Sequence, residues 1–133
     1  MVHATQGEAP YRVDIVVGAH ALIGDEGPGL GGQDAGPAPF DLVLSGLAAC
    51  TLITLRMYAE RKGWTDVKLS SRLRHRMEGG RHLIDRRIEV SGAPDAAAVQ
   101  RLSEIAERTP VTLALRSGFT ISTELTEAAG SAT

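Results

Sequence analysis

PFDLVLSGLAACTLITLRMYAERKG, residues 39–63, reads as one long helix with both ends marked. Pro39 stands where a first helical turn tolerates proline, and Asp41 sets negative charge near the positive end of the aligned peptide dipoles. Arg61 and Lys62 load the last turn with positive charge, and Gly63 supplies the stop. From Leu42 to Leu55, apolar residues occupy almost every side. A helix that is apolar all round is enclosed by protein or lipid. The apolar run is shorter than the roughly 20 residues a bilayer demands, so it is expected to be the central helix of a soluble core. Cys50, the only cysteine in 133 residues, lies in its middle.

The surrounding composition bounds what such a helix can serve. The length fits a single domain, residues 1–133, and 43% hydrophobic with 23% charged residues is ordinary for a folded protein. With aromatics at 4%, the core must be built from Leu, Val, Ile and Ala. A net charge of -2 without a basic block points to no nucleic acid and no membrane surface as partner. The N-terminus lacks a basic segment followed by an apolar one, so no signal peptide is expected. One cysteine cannot form an internal disulfide, which fits a reducing cytoplasm. A lone buried cysteine is, by default, a small core hydrophobe.

Upstream of the helix, Met1 to Pro10 is polar and reads as a loose end. Tyr11, Val13, Ile15 and Val17 alternate along one strand, and His20 to Ile23 is a second short strand after a turn at Gly18. Gly24 to Pro39 is a loop by composition that feeds directly into the helix. Its Gly27-Pro28-Gly29-Leu30-Gly31-Gly32 lacks the Lys-Ser/Thr of a phosphate loop and the dinucleotide fingerprint, so it is a turn-rich loop.

Downstream, Val67, Leu69, Leu73 and Met77 share one strand face, opposite Lys68, Ser70, Arg72, Arg74 and Arg76. Gly79-Gly80 marks a hairpin turn. The return strand sets Ile84, Ile88 and Val90 against Asp85, Arg87 and Glu89, so the arginine stripe is expected to pair with acids on a solvated face. His75 and His82 have no further ligand at zinc spacing, and neither a metal nor a cofactor is expected. Asp95 caps a second helix carrying Val99, Leu102, Ile105 and Ala106. Thr109-Pro110 ends it, Val111 to Arg116 forms a short helix, and Phe119 to Leu125 alternates as a final strand. Thr126 to Thr133 reads as a flexible tail. One small chain cannot enclose a helix that is apolar on all sides. A homodimer with that helix at or near the interface is therefore expected.

These residues resemble the OsmC/Ohr family. The resemblance runs from His20-Ala21-Leu22-Ile23-Gly24-Asp25-Glu26 through Ala48-Ala49-Cys50-Thr51 and Arg56-Met57-Tyr58-Ala59-Glu60-Arg61-Lys62-Gly63-Trp64. It continues to Ile105-Ala106-Glu107-Arg108-Thr109-Pro110-Val111. It implies an α+β fold: an intertwined homodimer in which antiparallel sheets surround two long central helices. It also implies a peroxide-reducing site with two cysteines. The first stands at Cys50, and the second at the place held here by Thr109. Threonine cannot form the disulfide that closes the two-cysteine cycle, so turnover would need an external thiol reductant.

The resemblance further implies an arginine and a glutamate beside the reactive thiol. Those places hold His20 and Phe40, with Asp41 one residue on, and Thr112 stands where many relatives have histidine. The enzymatic reading makes Cys50 the nucleophile and His20 its polarising partner. Phe40, Asp41, Leu47, Thr109 and Thr112 would then line the site for a small peroxide or apolar ligand. The alternatives are a dimer that binds a small molecule without turning it over, the active site being incomplete, and a structural relic in which Cys50 only packs.

Overall fold

The structure is a computed structural model and describes residues 1–129. Three strands, β1 (Val2–Gln6), β2 (Val13–Val17) and β3 (His20–Gly24), form an antiparallel meander in that order. A long loop with one 3-10 turn at Pro28–Leu30 leads to α1 (Pro39–Arg61). There follow a hairpin of β4 (Lys68–Glu78) and β5 (Arg81–Ser91), then α2 (Ala96–Ala106) and α3 (Pro110–Ser117). The fold is α+β with antiparallel sheets. The expected tail at 126–133 lies partly beyond this range, since residues 130–133 fall outside the described residues.

The ends of α1 follow the local chemistry. Pro39 opens it, Arg61 closes it, and Gly63 takes the left-handed φ of 74° that ends the turn. Gly79 and Gly80, at φ 57° and 78°, make the two-residue turn that joins β4 to β5. Asp95 caps α2 by accepting from the Ala98 N–H at 2.8 Å. The core lies where α1, α2 and the hairpin meet: Leu55, Ala59, Val67, Leu102 and Ala106, flanked by Trp64, Leu69 and Ile88. By length and composition α1 could cross a membrane, being longer than its apolar run alone implies. Its packing on β4, α2 and α3 makes it the core helix of the domain.

Two segments differ from the sequence reading. Val2–Gln6 is a paired strand, not a loose end, with Val2 opposite Val17 and Gln6 opposite Val13. All five of its residues are exposed, so only the backbone ladder holds it, and no apolar alternation announces that. Phe119 to Leu125, expected as a strand, forms no regular structure, and Phe119, Ile121 and Leu125 are 67%, 82% and 96% exposed. Alternation shows that a segment can pair, but pairing also needs an adjacent free edge.

The loop before α1 is ordered by one carboxylate. Buried Asp25 accepts from the backbone N–H of Glu26 at 2.8 Å and of Ala35 at 3.0 Å. Its own N–H donates to Pro37 O at 3.1 Å. The Ala35 and Glu26 bonds hold its carboxyl pKa below the ordinary value.

Candidate functional site around the central helix

The α1 helix carries two stripes. Leu44, Leu47, Thr51, Leu55 and Ala59, spaced by three or four residues, are buried. Val43, Gly46, Cys50, Ile53 and Met57 repeat at the same spacing on another side. There Val43, Ile53 and Met57 are 43%, 54% and 53% exposed, and Cys50 is half-buried. The thiol therefore sits in an apolar stripe that this chain leaves largely uncovered. It has no hydrogen-bond partner among the described residues.

On the buried side, Arg86 gathers a polar network. Its Nη1 donates to Thr51 Oγ1 and to Thr112 Oγ1, both at 2.9 Å, and its Nη2 donates to Ala106 O at 3.0 Å. Ala106 is the last residue of α2, where carbonyls lack helical partners and the dipole favours a cation. Thr109 and Thr112 share a 2.6 Å hydrogen bond at the start of α3, and both are buried. Glu107 Oε1 lies 3.9 Å from Arg86. Arg116, which bonds the Glu107 carboxylate, lowers that carboxyl's pKa, with a smaller contribution from the charge of Arg86.

The hairpin register explains why an arginine faces inward. Leu69 lies opposite Val90, Leu73 opposite Arg86, His75 opposite Ile84 and Met77 opposite His82, all on the face toward α1. His75 Nε2 and His82 Nδ1 come within 2.8 Å, and Phe40 stacks on His75 with ring centroids 4.0 Å apart. On the other face Asp85 binds Arg74 at 3.3 Å and Arg76 at 2.7 Å, the cross-paired surface the charge pattern predicts.

The residues singled out from the sequence fall into separate places. Leu47 and Thr112 line one cleft with Arg86 and His82, Thr109 shares a hydrogen bond with Thr112, and Phe40 stacks on the histidine pair beside it. Asp41 is in the first turn of α1, exposed, with its backbone carbonyl accepting from Ser45 at 2.7 Å. His20 is the exposed first residue of β3, opposite Val17, and no hydrogen bond joins it to Cys50 among the described residues. Sequence reasoning missed Arg86. Its signal was parity, since Ile84, Arg86, Ile88 and Val90 occupy one strand face. Among the described residues, no three His, Cys, Asp or Glu side chains converge as metal ligands.

Meander, long thiol-bearing helix, hairpin and two short helices define a cysteine-centred α+β domain. A family model described as OsmC-like protein matches residues 31–124, and the chain belongs to that family. Solved structures agree on the fold. A putative osmotic stress induced and detoxification response protein from Psychrobacter arcticus is 16% identical with a TM-score of 0.74, over 85% of each chain. An OsmC-like protein from Mycoplasma pneumoniae is 21% identical with a TM-score of 0.73, over 87% of this chain and 86% of that one. An organic hydroperoxide resistance protein, OsmC, from Legionella pneumophila is 21% identical with a TM-score of 0.63, over 87% and 88%. No curated protein matches the chain.

Proposed function

We propose that this protein is a homodimeric, one-cysteine reductase of organic hydroperoxides that relies on an external thiol. The observation that carries the reading is the position of Cys50, half-buried in the uncovered apolar stripe of α1. A second copy packing on Val43, Ile53 and Met57 would enclose the thiol in apolar walls suited to an organic peroxide. The exposed Phe119, Ile121 and Leu125 supply an alternating segment to add to a sheet of that copy. His20 enters as a polarising group of the assembled dimer, since among the described residues of one chain no hydrogen bond links it to the thiol. The single cysteine fits the reducing cytoplasm.

In this reading the Cys50 thiolate attacks one peroxide oxygen. The O–O bond breaks, the alcohol leaves with a proton, and Cys50 becomes a sulfenic acid. Thr109 has no sulfur to trap it. An external thiol therefore condenses with the sulfenic acid, forming an S–S bond and releasing water. A second thiol frees Cys50 as a disulfide of the reductant departs. The sum is hydroperoxide plus two thiols giving alcohol, water and disulfide.

The test is consumption of cumene hydroperoxide with dithiothreitol as reductant. Wild type turns over, Cys50→Ser does not, and equal rates for the two end the reading. A second reading, binding without turnover, is favoured by the absence of any hydrogen-bonded partner to the thiol among the described residues. It predicts a co-purifying small molecule and an unoxidised Cys50.

A further inference from the structure

The cleft in front of Arg86 adjoins the buried stripe of α1, whereas Cys50 stands on the uncovered one, and it plays no part in the chemistry above. Arg86 is the one guanidinium on the inner face of the hairpin, and its side chain is only 11% exposed. Everything it donates to is neutral: two threonine hydroxyls and one carbonyl. A guanidinium has five N–H donors. Three are used here, which leaves Nε–H and one Nη2–H with no acceptor among the described residues. Glu107 stands at 3.9 Å, but its carboxylate is bonded by Arg116. The end of α2 supplies at most about half a negative charge. A buried cation with so little compensation is costly, and an anion is what lowers that cost.

The space beside it is shaped for such an anion. The cleft holds about 660 Å³, within the range of small-molecule sites. Leu47, Leu83, Ile84 and Leu115 form apolar walls, while Arg81 and Arg116 stand among the lining as further cations. Three guanidiniums share the lining with a single carboxylate, Glu107, and an excess of positive charge along a cleft concentrates anionic counter-ions. Arg81 forms no ion pair among the described residues.

We propose that this cleft binds a small organic carboxylate, its head bidentate on the unused N–H groups of Arg86 and its apolar body along the leucine walls. Two donors in one plane match the two oxygens of a carboxylate. The apolar walls favour an organic anion over a bare inorganic one.

Calorimetric titration of the full chain with octanoate and with 1-octanol tests this, since the two differ only in the head. Octanoate is expected to bind about tenfold more tightly, with affinity falling as salt rises. Its addition shifts the Arg86 Nε–H resonance, which octanol leaves in place. Arg86→Gln abolishes the preference. Should that variant fail to fold, exposed Arg81→Gln is expected to weaken octanoate about threefold through the lost field at the cleft and leave octanol unchanged. Equal affinity for the two probes, no binding of octanoate, or an unmoved Arg86 resonance on saturation overturns the proposal.

Discussion

At Asp25 one carboxylate holds the loop that delivers the chain into α1, and its hydrogen bonds give it a lowered folded pKa. A lowered carboxyl pKa contributes stability that is fully present above the unfolded value of about 3.9. That stability is lost as pH falls through the lower folded value. The stability gap between wild type and Asp25→Asn is therefore expected to stay level from neutral pH to about 5 and to close below about 4. Urea unfolding across that range reads it, and a gap unchanged at acid pH contradicts the assignment. Asp25 was named in the sequence only within a resemblance, because the donors it needed, N–H groups up to ten residues away, leave no mark on residue type. Arg86 was hidden differently. Its inward parity was legible, but three other arginines on β4 drew attention to the outer face.

Among the elements, those with local signals were legible: α1 from its proline start and glycine stop, the hairpin from Gly79-Gly80, and α2 from its Asp95 cap. Replacing that cap, Asp95→Ala, is expected to cost about 1 kcal/mol in a denaturant melt. The loop is more demanding. A Cβ at Gly36 would stand 2.2 Å from Ile23 O, whereas one at Gly29 meets nothing within 4 Å. Gly36→Ala is expected to cost about 1–3 kcal/mol and Gly29→Ala far less; equal costs would show that the loop lacks this close approach. Elements whose existence depends on a partner were not legible. Strand β1 is made by its ladder alone, and Phe119 to Leu125 has the alternation without a paired strand among the described residues.

At the scale of the molecule, α1 leaves Val43, Ile53 and Met57 uncovered beside Cys50, and burial of that stripe by a second copy is the physical basis of the proposed dimer. If the proposed dimer forms, wild type is expected to sediment as a dimer and Ile53→Glu with Met57→Glu as a folded monomer in analytical ultracentrifugation, and an unchanged sedimentation mass argues against this interface. The parts of the site were visible in the sequence as single residues, Cys50 and Thr109 above all. That Thr109 joins the buried Arg86 network while Cys50 stands on the uncovered stripe was not, because it follows from how the hairpin, α2 and α3 crowd one side of α1. Native mass spectrometry after brief exposure to cumene hydroperoxide joins these claims in one reading. The predicted result is a dimer bearing one added oxygen per chain, lost on addition of a thiol and absent in Cys50→Ser; an unmodified chain under excess peroxide would contradict the account.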